Sequence, residues 1–317
     1  MLATMSRLSR SPRILIVGSV NMDVVVRTRR SPRGGETVIG DHLSLVPGGK
    51  GANQAVATAR LGGHASFVGR VGDDVWGAEL SSKLRESGVD TTWLEVDATR
   101  PTGTATIIVE ADGENRIVLI GGANDEVSPD QVDAALDERN ELDALLLQLE
   151  IPLETVYHAI QRGKERGIPV VLDAGPPQAV PLERLRGVTV LSPNESEAEA
   201  LTGIAVDDDA SARRAAQQLD AATGARHVVL KLGNRGAMMR DDGEYRVVPA
   251  YDIDAVDTTA AGDSFTAALT IELARDRPLA EAVAWSNAAG ALAATRLGAQ
   301  PSLPTRAEVE SFVETRS

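Results

Sequence analysis

Short apolar runs, each ending at a small or polar residue, limit what this chain can fold into. Residues 14–17 run into Gly18, Ser19 and Asn21, and 66–68 lead to Gly69. Residues 144–149 are apolar apart from Gln148 and end at Glu150. The runs 169–172, 188–191 and 228–232 end at Asp173, at Ser192-Pro193-Asn194 and at Gly233. Each is too short for a helix and almost unbroken by polar residues, as strands buried on both faces of a parallel sheet are. Helical patterns fill the gaps at 75–86, 153–166, 209–223 and 279–297. Pro129 and Pro152 stand at first-turn positions, and Gly88, Gly167, Gly224 and Gly298 at C-termini. This alternation predicts an α/β fold: a doubly wound, mostly parallel sheet with helices on both faces.

Two segments, 23–47 and 102–121, read as strands without helices between them and are expected to form a small β-sheet lid. Residues 104–110 and 116–120 flank a hairpin turn at 111–115. Ala105, Ile107 and Val109 fall on one face, Ile108, Val118 and Ile120 on the other. Two apolar faces suit a sheet that covers a ligand with one and meets a second subunit with the other. The alternative is that both pack on the parent domain. The rest of the chain, 13–317, is expected to be a single domain, preceded by a disordered tail at 1–12 that carries Arg7 and Arg10 and no acid.

Composition removes whole classes of function. There is no cysteine, so disulfides, thiolate metal sites and cysteine nucleophiles are excluded. His42, His64, His158 and His227 are scattered, with no HExxH spacing. Asp and Glu total 46 against 32 Lys and Arg, a net charge of −14 that repels polyanions. Aromatics at 3% argue against base stacking. No apolar run approaches the roughly 18 residues of a membrane span, and no secretory leader is read. A cytoplasmic protein without nucleic-acid or membrane partners is expected; a small anion remains open to it, since helix N-termini hold phosphate locally.

Chemistry concentrates in a few stretches. In Asp257-Thr258-Thr259-Ala260-Ala261-Gly262-Asp263-Ser264-Phe265, small residues precede an apolar helical pattern. A turn that opens a helix presents unpaired N–H groups at the positive end of its dipole, an anion hole. Asp263 can be read as a helix cap or as a general base beside those amides. Gly48-Gly49-Lys50-Gly51-Ala52-Asn53-Gln54 permits close backbone approach to a ligand. It is not a Walker A loop: Gly51 stands where Ser or Thr is needed, and Ser44 where Gly is. Lys50 and Asn53, one helical turn apart, can point into one pocket or be the solvated edge of a glycine turn. Asn21, Asp23, Glu150 and Asn194 follow strands, where polar residues face the ligand crevice of an open α/β sheet or serve as turn formers. Glu197 lies one turn into the helix after Asn194.

These stretches resemble the ribokinase/phosphofructokinase-B family of sugar kinases over residues 18–302. The shared elements are GSVNMD (18–23), GGKGANQA (48–55), QLE (148–150), SPNESEAEALTG (192–203), KLGNRG (231–236), VDTTAAGDSF (256–265) and TRLGAQPS (295–302). The resemblance implies an ATP-dependent kinase. Asn21, Asp23, Gly49, Lys50, Gly51, Ala52, Asn53 and Glu150 would line its sugar site, and Asp263 would be the base. The amides of Ala260, Ala261 and Gly262 would be the anion hole. Asn194, Lys231, Leu232, Gly233, Asn234, Arg235, Gly236, Gly262, Asp263 and Asn287 would meet ATP. Glu197 would hold Mg²⁺ through water, and Asp257, Thr259, Ala293, Arg296, Gly298 and Ser302 would surround potassium. The lid would also form a homodimer contact. Ala260 replaces a glycine often found there and must keep φ negative. Lys231 and Asn234 stand where relatives often have Thr and Ser, and Met22, between two sugar-site residues, would narrow the pocket. D-Ribose, phosphorylated on its 5-hydroxyl, is the expected acceptor, since no matched sugar-site position is an arginine that would bind an existing phosphate. Deoxyribose, fructose or a nucleoside remain alternatives, as does a non-catalytic sensor on the same fold. A Rossmann dehydrogenase lacks its GxGxxG turn.

Overall fold

The computed structural model describes residues 11–112, 114–139, 141–241 and 243–316. Most of the expected tail, residues 1–10, lies outside them, as does Gly113 of the expected hairpin turn. Residues 11 and 12 of the expected tail are described, and the Pro12 carbonyl accepts a hydrogen bond from His64 N at 2.7 Å.

The continuous apolar runs are the strands of the larger sheet. In chain order its parallel members are β1 (Arg13–Val17), β4 (His64–Gly72), β5 (Asp90–Asp97), β8 (Ala144–Leu147), β9 (Val170–Asp173), β10 (Val190–Ser192) and β11 (His227–Lys231). An antiparallel pair, β12 (Ala237–Asp241) and β13 (Glu244–Val248), extends one edge. The order is β13-β12-β11-β10-β9-β8-β1-β4-β5. Alternate residues of β1 enter opposite layers: Ile14 and Ile16 pack in one core, Leu15 and Val17 in the other. That is why no position in the run is polar.

The first layer contains α1 (Lys50–Arg60), α2 (Val75–Glu86), α7 (Ala261–Ala274), α8 (Leu279–Ala294) and α9 (Arg306–Glu314). The second contains α3 (Pro129–Asp137), α4 (Leu153–Arg166), α5 (Glu195–Thr202) and α6 (Asp209–Thr223). Asp74 caps α2 and Ser128 caps α3, with Pro129 in its first turn; Gly167 and Gly224 end α4 and α6 in the left-handed conformation. The helix expected over 279–297 stops at Ala294, and Gly298 does not close it. The reason is tertiary: the Ala294 carbonyl accepts from Val256 N (2.8 Å) and Asp257 N (3.1 Å), which fold back over the helix end. The run expected at 144–149 pairs only to Leu147, and that at 188–191 shifts to Val190–Ser192.

The segments without helices form a separate sheet ordered β3 (Gly40–Gly48), β2 (Asn21–Thr28), β6 (Gly103–Val109), β7 (Asn115–Ile120). Asp23 aligns with Ala105 and Val46, so it shares a face with Ile107 and Leu119. Val24 and Val26 align with Thr106 and Ile108 and with Leu45 and Leu43, so these share the other face with Val118. The alternative in which both faces pack on the parent domain is not what is seen: all of β7 is exposed. Strand order reverses at β1, which sits between β4 and β8, and this switch point opens a crevice at the strands' carboxyl ends. Among the described residues, no helix is long and apolar enough to cross a membrane.

Candidate active site

Three glycines shape the crevice floor. Gly49, the residue before α1, has φ +88° and lies so close to β2 that a Cβ there would stand 2.8 Å from Asn21 N and from Val20 Cα. Gly51 packs so closely on Gly18 and Ser19 that a Cβ would stand 2.7 Å from Gly18 C and Ser19 N, and Gly48 leaves its space to the Asp23 carboxylate. The first turn of α1 has no side-chain cap; Glu150 takes that place from across the crevice, accepting from Lys50 N (3.1 Å) and from the Ser19 hydroxyl (2.6 Å). Ala52, expected at the site, is buried in the core and presents no surface to a ligand. Met22 likewise turns into the core and does not narrow the crevice.

Asp263 lies opposite, in the first turn of α7. It is buried and caps nothing: the residue preceding the helix is Ala260, at φ −108°, and no side chain caps it. Asp263 Oδ2 accepts from Asn53 Nδ2 (2.9 Å) and Oδ1 from Gln54 Nε2 (3.0 Å). Asn53 Oδ1 is buried with no hydrogen-bond partner, an acceptor left for something else. Asn21 Oδ1 accepts from Asn124 Nδ2 at 2.7 Å, and Asn124 also clamps the Val20 backbone. Burial pushes Asp263 up to about 6, Lys50 opposing and Asp173 assisting. Burial, with Glu150 and Asp263 adding like charge, pushes Asp23 up to about 7.

Of the amides expected at 260–262 as an anion hole, that of Ala261 is already engaged and that of Gly262 is not. Ala260 is buried in the core, and Ala261 N donates to the Thr258 carbonyl at 3.1 Å. The N–H groups of Gly262 and Asp263 are in the first turn, where the helix itself supplies no acceptor. They open on a cavity of about 640 Å³. One end of the cavity is polar, with Lys50, Asn194, Glu197 and Lys231; the other is apolar, with Tyr251, Ile253 and Ala291. Asn287 lines it while donating to the Val248 and Pro249 carbonyls at 3.1 and 3.0 Å. Gly233, Asn234 and Gly236 form part of the wall. Leu232 does not, being packed in the second core, and Arg235 turns outward to Asp209 and Glu195.

Of the two readings of Lys50, the solvated edge of a turn is not what is seen: its ammonium faces the cavity, 3.7 Å from both Asp173 and Glu197, while Asn53 reaches Asp263. Burial disfavours its charge, yet Asp173, Asp263, Glu197 and Glu150 outweigh that and hold it well above the ordinary lysine value. Lys231 pairs with Asp173 at 2.5 Å and lies 3.9 Å from Glu197. Asn194 and Glu197 cap α5 reciprocally: Glu197 N donates to Asn194 Oδ1 (2.8 Å) and Asn194 N to Glu197 Oε2 (2.7 Å). Behind the α7 N-terminus, Asp257 accepts from Thr259 N (3.0 Å), the Thr259 hydroxyl and Gly298 N (2.9 Å). Arg296 N meets the Ala293 carbonyl at 3.2 Å, while its guanidinium leaves for Glu308. Ser302 turns its hydroxyl onto the Ala299 carbonyl.

Gln54, Asp173 and Asn124 belong to the site without having been singled out as site residues. Asp173 had the same signal as Glu150 and Asn194, a polar residue at a strand's carboxyl end. Gln54 had only its place directly after Asn53. A buried carboxylate beside open helix amides and a half-polar cavity can take a proton from a hydroxyl that attacks a bound anion.

A family model described as pfkB family carbohydrate kinase matches residues 11–306. A ribokinase of Haemophilus influenzae is 38% identical over 301 residues, covering 95% of this chain and 98% of the relative. A deoxyribokinase of Salmonella typhi is 34% identical over 302 residues, covering 95% of this chain and 97% of the relative. Among solved structures, Arabidopsis thaliana ribokinase complexed with ribose and ATP is similar at a TM-score of 0.87 and 32% identity, covering 96% of this chain and 99% of that one.

Proposed function

The chain belongs to the pfkB family of carbohydrate kinases, and from that premise we propose that it transfers the γ-phosphoryl group of ATP to the 5-hydroxyl of D-ribose. It is an ATP-dependent sugar kinase. The observation that carries the chemistry is Asp263: buried, free of any capping duty, and adjacent to amides with no acceptor in their own helix. As the sugar oxygen attacks phosphorus, the new O–P bond forms, the bond to ADP breaks, and Asp263 takes the hydroxyl proton. The Gly262 and Asp263 amides stabilise the charge on the transferring group. Asn21, Asp23, Asn53 and Glu150 hold the sugar hydroxyls, with Asn53 Oδ1 as a ready acceptor. ATP occupies the 640 Å³ cavity with its base at the apolar end near Asn287 and its phosphates toward Asn194, Lys50 and Lys231.

Among the described residues, no group of three or more acidic or histidine side chains can hold a metal ion directly. That suits Mg²⁺, which arrives on nucleotide phosphates and keeps most of its waters. Glu197, buried at the polar end of the cavity, would hold such a water, and the ion would neutralise phosphate charge. The Asp257–Thr259 turn and the 293–298 segment, tied by the Asp257–Gly298 bond, offer mainly neutral oxygens and one carboxylate, which suits K⁺. The expected outcome is a higher rate in potassium than in sodium; equal rates would remove the cation from the reading. The function itself is tested by coupled ADP release with D-ribose, 2-deoxyribose, fructose and adenosine. D-Ribose is expected to give the highest kcat/KM, and a preference for any of the others would displace it as the substrate.

A further inference from the structure

Gln54 is fully buried on α1, where it meets three other elements. Its Nε2 carries two protons, and both go to carboxylates: Asp263 Oδ1 at 3.0 Å and Asp173 Oδ2 at 2.7 Å. Its Oε1 accepts from Gln148 Nε2 at 2.6 Å. Gln148, also fully buried, follows β8, and Asp173 is the last residue of β9. The Gln54 amide can take only one orientation. Turned over, its oxygen would face two carboxylates and its nitrogen would face the Gln148 donor. We propose that Gln54 is a positioning residue for Asp263, locked by Gln148, which ties the Asp263 carboxylate to that of Asp173 and so fixes the rotamer in which it meets the acceptor hydroxyl. This rests on the reading of Asp263 as the base.

The geometry supports a catalytic reason for the arrangement. With Asn53 on Oδ2 and Gln54 on Oδ1, the carboxylate cannot turn about its Cβ–Cγ bond without breaking a buried hydrogen bond. Each oxygen keeps a lone pair for a further donor. A base held this way loses little freedom when the sugar binds, and small misplacements of reacting groups are expensive. Placing a second carboxylate on the same amide also raises the proton affinity of the first. The charged groups gathered around Asp263 are Lys50 from α1, Asp23 from β2, Glu150 after β8, Asp173 from β9, Glu197 from α5 and Lys231 from β11. Gln54 hydrogen bonding favours the charged form of Asp263, whereas Asp173 disfavours it. The two therefore act with opposite sign.

That opposition gives the test: kcat, KM for D-ribose and the pH profile of kcat/KM for Gln54→Met, Gln148→Met, Asp173→Asn and Asp263→Asn, with thermal melting as the fold check. Gln54→Met keeps the volume and removes the donors. It is expected to lower kcat about 10–100-fold, as lost outer-shell partners do, and to move the acid limb to higher pH. Gln148→Met, which does not bond to Asp263, moves the limb the same way with a smaller loss. Asp173→Asn moves it to lower pH. A folded Gln54→Met enzyme with the wild-type limb overturns the proposal, even if kcat falls, because packing alone would then explain the loss. Should Gln54→Met not fold, the direction of the Gln148→Met limb decides in its place. If Asp263→Asn retains wild-type turnover, the base reading fails; if it is inactive while Gln54→Met and Gln148→Met match wild type, only the positioning role fails.

Discussion

Asp263 occupies the third position of its helix, where a carboxylate gains from the positive end of the dipole whether or not it does chemistry. Two facts separate the cases. Its oxygens bond to side chains of α1, not to its own helix end, and its burial favours the protonated form. A group serving only the dipole would be stabilised as an anion, and its proton affinity would fall. Asp263→Asn is therefore expected to lower kcat by about 10²–10⁴-fold, the usual span for a lost general base, with sugar binding largely retained. Phosphoryl transfer measured at saturating ATP checks this, and a variant with more than half the wild-type rate would leave the carboxylate a structural part. The sign of the pH dependence follows from the same burial. A base must be unprotonated to act, and a raised pKa widens the range in which it carries a proton. Activity should fall as pH drops through about 6, well above the ordinary aspartate value of 3.8. A profile flat down to pH 4.5 would contradict the effect of burial and of the nearby Asp173 charge.

At the scale of elements, α1 supplies Lys50, Asn53 and Gln54, and its start is set by Gly49. The positive φ and the missing Cβ are both needed there, since any side chain meets the β2 backbone at 2.8 Å. Gly49→Ala is expected to cost about 1–3 kcal/mol from the backbone conformation alone, with further loss from the clash. Denaturant titration should show the lower stability, and activity should fall with it because Asn21 is displaced. An unchanged midpoint would mean that the turn relaxes freely. This part of the fold was legible because its causes are local: a glycine run before a helical pattern, or an unbroken apolar run whose alternate residues enter two cores. The end of α8 was not. Its apolar pattern continues to Leu297, and only the distant Val256 and Asp257, by capturing the Ala294 carbonyl, stop the helix. The placement of Gln54 was hidden for the same reason. Its partners lie 119 and 209 residues away, beyond anything periodicity or capping can register. Leu232 and Arg235 show the converse: adjacent to residues of the cavity wall in sequence, they point into the core and out to solvent.

For the whole molecule, the small sheet poses the problem of its outer surface. The face bearing Asp23 looks toward the crevice; on the other, Leu43, Leu45 and Val118 are exposed beside half-buried Val24, Val26 and Ile108. Leu43 is 59% exposed and Val118 62%. Contiguous apolar surface of this kind on an isolated subunit usually marks an association site. A second copy can cover it in an isologous contact, each sheet meeting its equivalent. Burial at roughly 25 cal/mol per Å² of apolar area favours the contact, while lost translational and rotational freedom offsets a large share. The expected state at micromolar concentration is thus a dimer despite the net charge of −14, which is repulsive but screened beyond about 8 Å at physiological salt. Ile108→Lys with Val118→Lys would place two cations per subunit on the same face and should convert the dimer to monomer. Because Asp23 is carried by this sheet, KM for the sugar should rise in the monomer while melting of the main domain stays close to wild type. Sedimentation velocity paired with sugar-dependent kinetics reads both effects. A wild-type monomer, or a dimer indifferent to both lysines, would show that the outer face serves something other than a second copy of this chain.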